Sequence, residues 1–348
     1  KNTCSQCRNY REQGCLHTEE ERCITGFWCT NEIQKAIEKG YQIKEIYEVW
    51  HFEKQSTELF KSYIRKFMKI KLCTSPINGT KEEYIRKASE IGIDIKPKEL
   101  IPNSGLRFIS KLFLNSLWGK LGQQDSFPKE KYIDNSNDLY RLFCNNKVEQ
   151  LNISFINQKL IHAHYKIKDE EIKENFKTNV YIAAFTTSNA RLRLFDMLDK
   201  LNERAIYCDT DSVVYIDDDY AKTVVNTGDS LGEFSVDGKI TDYKAEWIDF
   251  WTSCSPKDYG FVLNNGITTG KLKGFKADAF TENNMTVANR EKLMKNLINH
   301  VLCRQSYFYI NNFKIRTVEK EKVWSYSYDK RSVKFIDETH IDTVPYGY

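Results

Sequence analysis

The feature that most constrains this chain is a short acidic stretch between two apolar runs. The stretch is residues 207–212, with the sequence YCDTDS; it follows the apolar pair 205–206 and precedes the run 213–216, VVYI. β-Branched and aromatic residues favour strands, and two such runs separated by a short polar tip are typical of a β-hairpin. The sequence therefore predicts a hairpin over residues 205–216.

Two aspartates lie at the tip of this predicted hairpin. Asp209 and Asp211 are two residues apart, and residues two apart on an extended chain point to the same side. Carboxylates held this close repel each other unless they share a proton or bind a cation, and such oxygen ligands suit Mg²⁺. A solvated acidic turn is the alternative for a lone Asp-x-Asp sequence. The apolar residues on both sides favour a metal site.

A second motif lies upstream, in residues 111–119, with the sequence KLFLNSLWG. Lys111 and Asn115 are four residues apart and share one face of the helix predicted over residues 106–119, and Trp118 follows three residues later. A lysine at this place can pair with triphosphate oxygens as a flexible point charge. A surface lysine and a helix-ending asparagine are the alternative.

Together the two stretches resemble motifs C and B of the B-family DNA polymerases, in that family's order. Residues 207–212 match the pattern Tyr-x-Asp-Thr-Asp-Ser, and residues 111–119 resemble Lys-x-x-x-Asn-Ser-x-Tyr-Gly. The likeness is greatest to the protein-primed branch, which includes polymerases of Polinton-type mobile elements and related viruses, and it covers nearly the whole chain. Trp118 stands where the family usually has tyrosine, which keeps a planar ring but removes the hydroxyl.

The resemblance implies transfer of a nucleotide from a dNTP to the 3′-hydroxyl of a primer. Two Mg²⁺ ions, about 3.5–4 Å apart, would stabilise the attacking and leaving oxygens, and Asp209 and Asp211 are the expected ligands. Lys111 is expected to contact the triphosphate, with Asn115 and Trp118 around the base and sugar. The implied partners are primer–template DNA, a dNTP and a terminal priming protein.

A basic helix is predicted over residues 59–72, where apolar residues recur at helical spacing and cationic residues occupy much of the rest. A basic helix face is most often simply solvated. In the family that the chain resembles, however, a basic helix of the fingers faces the motif B helix and meets the incoming triphosphate. By this resemblance Lys69 and Lys71 are candidate nucleotide-binding residues.

Three further stretches resemble DNA-contacting parts of the family. Residues 187–191 resemble its Thr-x-x-Ala-Arg sequence, residues 257–259 fit its Lys-x-Tyr motif, and residues 271–275 form a basic turn at the expected palm–thumb junction. For the arginines of the first stretch, solvation of the helix is the alternative. The candidate DNA-binding residues are Arg191, Lys257, Tyr259, Lys271 and Lys273.

The first 29 residues contain five of the ten cysteines. Part of this segment has the spacing at which thiolates and an imidazole can surround a tetrahedral Zn²⁺, in a loop too polar to form its own core. Reduced cysteines without a ligand role are the alternative, because the second half of the segment departs from paired spacing. The candidate zinc ligands are Cys4, Cys7, Cys15 and His17.

Local patterns predict several further elements. Helices are expected from Thr30, from Thr80 and over residues 180–201, with another through residues 293–301. Strand formers dominate residues 41–52.

A histidine pair falls in a stretch with the alternation of a short strand. His162 and His164 alternate with apolar residues near residues 161–165. Without cysteine partners, such alternating histidines are more typical of surface residues than of metal ligands.

Composition sets broad limits on the chain. A chain of 348 residues can bury a sizeable core and normally forms two or more subdomains. A net charge of +4 allows nucleic-acid binding without demonstrating it. No apolar run approaches the roughly 18 residues of a membrane span, so no membrane partner is expected. Ten cysteines without a secretory-signal pattern favour reduced thiols or metal ligands.

By the same resemblance the expected fold is α+β, with an antiparallel palm sheet that carries motif C and with helical fingers and thumb. Five parts are expected: a Cys/His-rich segment with a palm-associated insertion (1–56), fingers with motif B (57–121), an insertion of the protein-primed type (122–179), palm with motif C and Lys-x-Tyr (180–276), and thumb (277–348).

One element of the family's pattern is not found in the chain. The family's third carboxylate comes from motif A, Asp-x-x-Ser-Leu-Tyr-Pro, and this sequence contains no such string. The proofreading carboxylates are not found either, so we expect a piece of a longer polypeptide that is inactive alone. A decayed mobile-element remnant that only binds DNA is the alternative. A reverse transcriptase or RNA polymerase fits less well, because those enzymes typically have adjacent aspartates, whereas Thr210 separates these two.

Overall fold

The computed structural model describes residues 18, 20–21, 23–77, 79–124, 127–172, 178–228, 232–236, 240, 242–311, 314–326, 331–335 and 341–345. The chain divides into two compact units. The sheet unit comprises Lys1–Phe27, Pro128–Lys168 and Ser235–Tyr348, and the hairpin unit comprises Trp28–Phe127 and Asp169–Phe234. Small antiparallel sheets and separate helices make the fold mixed α/β, which agrees with the expected α+β class. The expectation that residues 277–348 are helical is wrong, because two short helices there are followed by four strands.

The secondary structure of the described residues consists of helices and short antiparallel strands. The helices are α1 (Thr30–Glu38), α2 (Lys61–Thr74), α3 (Lys81–Glu90), α4 (Ser104–Leu121), α5 (Ser136–Phe143), α6 (Val180–Leu201), α7 (Asp219–Val224), α8 (Ala279–Asn284) and α9 (Val287–Met294). The strands are β1 (Lys129–Ile133), β2 (Val148–Asn157), β3 (Leu160–Ile167), β4 (Ala205–Asp209), β5 (Ser212–Tyr215), β6 (Ile248–Ser255), β7 (Asp258–Leu263), β8 (Thr268–Lys271), β9 (Val301–Asn311), β10 (Lys314–Trp324), β11 (Arg331–Phe335) and β12 (Ile341–Pro345). They pair as β1-β3-β2, β4-β5, β6-β7-β8, β9-β10 and β11-β12.

In the hairpin unit, α2, α3 and the loop that follows them enclose one core, against which α4 packs. Side-chain oxygens cap these helices: Thr80 accepts the backbone N–H of Glu83, and Asn103 accepts that of Leu106. Each cap satisfies a backbone donor that the first helical turn leaves unpaired, so the predicted helix start at Thr80 is confirmed. The buried core residues are Met68, Cys73, Ala88, Ile93, Ile95 and Leu100.

The longest helix of this unit, α6, starts after Asn179, whose side chain accepts the backbone N–H of Ile182. Its last turns bury Met197 and Leu201 against Ala221 of α7. The helix predicted over residues 180–201 is therefore confirmed. Within the described residues, no helix combines the length and the apolar character needed to cross a membrane.

The strand predicted over residues 41–52 is wrong, because these residues form no strand in the structure. Strand propensity becomes a strand only where a neighbouring strand takes up the backbone hydrogen bonds. The segment instead leaves Val49 and Trp50 largely exposed. Trp50 and Phe52 contact the ring of Tyr181, with centroids 5.3 and 5.0 Å away.

In the sheet unit, the β1-β3-β2 sheet packs one face against α5 through Ile133, Leu142 and Ala163. The short strand expected near residues 161–165 is confirmed as part of β3, whereas α5 was not predicted. Around β6, a second core joins α9 to the β9–β10 ribbon; its buried residues are Cys254, Met285, Leu293, Cys303 and Trp324.

The helix predicted through residues 293–301 is wrong for most of its length. Helix α9 ends at Met294, and β9 begins at Val301. Asn296 has φ 54°, a left-handed conformation that ends helices and that asparagine tolerates better than most residues.

Candidate functional site

The acidic stretch forms the predicted hairpin. Strands β4 and β5 pair with Asp209 opposite Ser212, so that Thr210 and Asp211 form a two-residue tip. Thr210 has φ 55°, and the backbone N–H of Asp211 donates to the carbonyl oxygen of Asp209 at 2.6 Å. A left-handed conformation is costly for a β-branched residue, and such backbone strain is concentrated at functional sites.

The two carboxylates of the tip differ in environment. Asp209 is half-buried and Asp211 is exposed. The Thr210 hydroxyl donates to Asp209 Oδ1 at 3.0 Å, and the Ser212 hydroxyl donates to the Asp209 carbonyl oxygen at 3.1 Å. Carboxylate oxygens fit a Mg²⁺ ion as part of its ligand set. Among the residues that the structure describes, no third His, Cys, Asp or Glu joins them to form a ligand cluster.

Packing beneath the tip holds the hairpin in place. Val213 and Tyr215 of β5 pack against the core at the end of α6. Burial, followed by the charge of Asp217, raises the pKa of Tyr215. Where the hairpin ends, Arg204 Nε donates to Asp218 Oδ2 at 2.7 Å. The backbone N–H of Ala221, and then Arg204, lowers the pKa of Asp218.

The motif B helix α4 packs against the basic helix α2 through aromatic rings. Phe67 and Phe113 stack with centroids 4.6 Å apart and planes 9° from parallel. The Tyr63 hydroxyl donates to the Phe113 carbonyl oxygen at 3.0 Å. Lys111 and Asn115 are exposed on α4. The predicted apposition of these two helices is therefore present.

Cationic side chains gather where α2 and α4 face each other. Lys71 is half-buried, and its pKa is lowered by burial first, then by the charges of Lys111 and Arg107. Sequence analysis missed Arg107, although it lies one helical turn before Lys111 and two turns before Asn115 on the same face. The structure thus brings two of the predicted nucleotide-binding residues together and adds a third cation. We call Lys71, Arg107 and Lys111 the cation cluster.

Lys69 has a different environment from Lys71. Its ammonium pairs with the Glu99 carboxylate at 3.1 Å. The backbone N–H of Lys96, followed by Lys69, lowers the pKa of Glu99. Because Lys69 is already paired, it contributes less positive charge to an incoming anion. Trp118, further along α4, keeps 44% of its surface exposed.

Arg191 fastens α6 to α1. Its Nε and Nη2 atoms donate to Glu32 Oε1 at 2.9 and 2.6 Å. Nearby, the Ser188 hydroxyl and the Asn189 amide both contact the Asn31 side chain, at 2.8 and 2.9 Å. The motif-like stretch 187–191 therefore holds two helices together, and a DNA contact by Arg191 stays a prediction.

The Lys-x-Tyr stretch lies at the β6–β7 turn of the sheet unit. Exposed Lys257 has φ 63°, and Tyr259 lies directly opposite Lys271 in the β7–β8 pairing. Tyr259 stacks on Trp251 with centroids 4.6 Å apart. Lys273 follows in the turn after β8 and is exposed. Four of the predicted DNA-binding residues thus lie at one end of this sheet.

A buried ion pair anchors that turn. Asp258 is 3% exposed and Arg290 of α9 is 4% exposed. Arg290 Nε donates to Asp258 Oδ1 at 3.0 Å, and the indole N–H of Trp324 donates to Asp258 Oδ2 at 2.6 Å. The pair turns Asp258 inward between Lys257 and Tyr259. Sequence analysis missed this role; an acidic residue within the motif was the available signal.

The predicted zinc ligands Cys4, Cys7, Cys15 and His17 lie outside the described residues. Further on, Cys29 is buried at the start of α1. Burial, followed by the charge of Glu32, raises the pKa of its thiol. A thiol in this environment is less readily deprotonated to the form that binds metals.

A comparison with protein families decides the assignment of the chain. The family model of DNA polymerase type B, organellar and viral, matches residues 1–203, which is more than half of the 348 residues. The chain belongs to this family of type B DNA polymerases. The family predicted from the two motifs is thereby confirmed. The matched range contains the cation cluster and ends before Asp209.

Members of this family are DNA-directed DNA polymerases, which are nucleotidyltransferases of DNA replication, act on DNA and dNTPs, and generally use divalent metals. Comparisons with curated proteins and with solved structures find no match.

Proposed function

We propose that the chain forms palm, fingers and thumb parts of a protein-primed DNA polymerase. In this proposal α2 and α4 belong to the fingers, the β4–β5 hairpin belongs to the palm, and the β9–β10 ribbon belongs to the thumb. Residues 129–167 form a three-stranded sheet with its own helix, which supports an inserted subdomain between motifs B and C. Initiation from a terminal priming protein follows from the resemblance to the protein-primed branch.

The cation cluster is proposed to bind the triphosphate of the incoming dNTP. Burial, followed by the charges of Lys111 and Arg107, lowers the pKa of Lys71, so the three cations disfavour one another where no counter-charge is present. A triphosphate supplies that counter-charge and accepts several charge-assisted hydrogen bonds. This cluster carries the proposal, because it joins α4 to the basic helix that the family resemblance predicted. Asn115 and Trp118 lie further along α4, on the side proposed for the base and sugar.

Asp209 and Asp211 are proposed to hold Mg²⁺ beside the reacting phosphate. When bound there, Mg²⁺ would supply positive charge to phosphate oxygens during the transfer. The left-handed conformation of Thr210 shapes the backbone between the two aspartates. In the proposed step the primer 3′-hydroxyl forms a bond to the α-phosphorus and gives its proton to water, while the bond from that phosphorus to the bridging oxygen breaks and pyrophosphate leaves.

The end of the β6-β7-β8 sheet is proposed to contact the primer strand. Lys257, Lys271 and Lys273 supply positive charge for phosphates, and Tyr259 supplies a ring beside them. The buried Asp258–Arg290 pair fixes the direction of this turn. Arg191 has a weaker case as a DNA contact, because Glu32 already offsets its charge.

The triphosphate assignment is tested by Lys111→Ala, with Lys66→Ala as the matched control, since Lys66 is an exposed lysine of α2. Hydrogen bonds to charged groups contribute about 1.5–3 kcal/mol, so Lys111→Ala is expected to weaken Mg²⁺·dNTP binding by roughly tenfold or more. Binding of primer–template DNA should not change, because the lysine contacts the triphosphate. Unchanged dNTP affinity in Lys111→Ala would contradict the assignment.

The alternative is a remnant that binds DNA without catalysis. One observation favours it: among the described residues, no third His, Cys, Asp or Glu lies close enough to Asp209 and Asp211 to complete a metal-ligand cluster. Primer extension by the full-length protein distinguishes the two. Extension supports the polymerase, and DNA binding without extension supports the remnant.

A further inference from the structure

The β1–β3 pairing brings three metal-ligating residue types to one face of the sheet unit. Glu130 of β1 lies directly opposite His164 of β3, and His162 is two residues away on the same side of the strand. One ligand atom from each of the three residues can be chosen so that all lie within 4.8 Å of one another.

The side chains of these three residues already converge. His162 Nε2 lies 3.1 Å from Glu130 Oε2, and His164 Nε2 lies 3.2 Å from His162 Nδ1. His164 Nδ1 lies 3.6 Å from Glu130 Oε1. Zinc with bonds of about 2.0–2.1 Å in tetrahedral geometry requires ligand atoms roughly 3.3 Å apart. Each of these contacts joins a different pair of atoms, and one ligand atom from each residue lies within 4.8 Å of the other two. Rotation of the Glu130 and His164 side chains would therefore have to bring one atom of each to a common centre with His162.

The surroundings hold the His162 ring in place. Its side chain is 12% exposed, and the ring stacks on Tyr132 with centroids 4.4 Å apart and planes 6° from parallel. The Tyr132 hydroxyl in turn accepts a hydrogen bond from Lys320 Nζ at 2.7 Å. A ring fixed by packing loses little freedom when it binds a metal, which favours binding.

We propose that Glu130, His162 and His164 bind a zinc ion. Two imidazoles and one carboxylate are a ligand set that zinc uses, with water in the fourth position. The ion would cross-link β1 to β3 and so tie together the ends of the 129–167 subdomain. The three residues offer imidazole and carboxylate ligands, which distinguishes this ligand set from the thiolates predicted for the cysteine-rich segment.

The test is zinc binding by the whole chain, first freed of metal by a chelator and kept reduced. His164→Ala removes one ligand, and Glu130→Gln removes the ligand charge while keeping the side-chain shape. His300→Ala is the matched control, since His300 is an exposed histidine of the same unit. Equilibrium dialysis counts the zinc bound to each variant, and circular dichroism checks that each is folded.

The wild type and His300→Ala are expected to bind one zinc equivalent more than His164→Ala and Glu130→Gln. At minimum, the zinc affinity of the two variants at this site should fall more than about tenfold, because loss of even an outer-shell partner lowers metal affinity about 10–100-fold. When Co²⁺ replaces zinc, the wild-type absorption spectrum minus the spectrum of either variant should contain no thiolate charge-transfer bands. Zinc should raise the melting temperature of the wild type more than that of His164→Ala.

Three results would overturn the proposal. The first is a wild-type chain that binds no zinc. The second is that His164→Ala and Glu130→Gln retain the full wild-type zinc content. The third is that the cobalt absorption lost in these variants contains thiolate charge-transfer bands.

Discussion

Lys71 on α2 and Lys111 on α4 lie close enough for their charges to repel. Burial is the largest cause of the lowered pKa of Lys71, and the charges of Lys111 and then Arg107 add to it. Lys69 of the same helix pairs instead with Glu99. The charge left uncompensated between α2 and α4 is the electrostatic basis of the proposed triphosphate site.

The first prediction concerns proton uptake on nucleotide binding. A bound triphosphate offsets the repulsion at Lys71 and raises its pKa towards the ordinary lysine value. At alkaline pH between the lowered and the restored pKa, dNTP binding should therefore take up protons, and the affinity should fall as pH rises through that window. Calorimetry in two buffers of different ionisation enthalpy measures the uptake. Equal uptake by Lys71→Met would contradict the prediction.

The second prediction concerns the buried pair beneath the Lys-x-Tyr turn. Asp258→Asn leaves the buried Arg290 without its counter-ion, which should lower the free energy of unfolding by about 3–5 kcal/mol. Asp249→Asn is the matched control, because Asp249 is exposed and accepts the indole N–H of Trp247 at 2.6 Å. The control should cost less than about 0.5 kcal/mol. Urea denaturation measures both, and equal losses would mean that burial of the pair is unimportant.

The third prediction concerns the close approach of β7 and β8. A Cβ at Gly270 would lie 2.4 Å from the Tyr259 carbonyl oxygen, a backbone atom that cannot rotate away. Gly270→Ala should therefore separate the strands, cost about 1–3 kcal/mol and weaken DNA binding through Tyr259 and Lys271. At Gly105, in helix α4, a Cβ meets only a side-chain oxygen at 3.5 Å, so Gly105→Ala should not lower the stability, because alanine favours helices more than glycine does, and it should leave the DNA affinity unchanged. If Gly270→Ala binds DNA with wild-type affinity, this end of the sheet is not part of the DNA interface.

Elements that depend on local sequence could be predicted. The hairpin at Asp209 follows from strand formers around a polar tip, α4 and α6 follow from helical periodicity, and the start of α3 follows from the cap at Thr80. Each of these signals lies within the element itself. Residues 41–52 have strand propensity without a partner strand, and that propensity does not determine the structure.

Contacts between distant residues could not be predicted from the sequence. The pairing of Lys69 with Glu99 requires the loop after α3 to return to α2. The position of Glu130 beside His164 depends on a strand register that the sequence does not display. Arg107 was detectable, since it shares a helix face with Lys111, whereas the burial of Asp258 depends on α9 and β10.

The most direct test of the account is primer extension by the full-length protein carrying Asp211→Asn. If Asp209 and Asp211 hold Mg²⁺ at the reacting phosphate, removing one carboxylate charge should reduce extension by at least about a hundredfold, as loss of a key charge-stabilising group does. DNA binding should persist or tighten, because a negative charge near phosphates is removed. Asp219→Asn, at an exposed aspartate beyond the hairpin, should extend primers normally. Near wild-type extension by Asp211→Asn would contradict the assignment of the hairpin as the metal site, and with it the proposed mechanism.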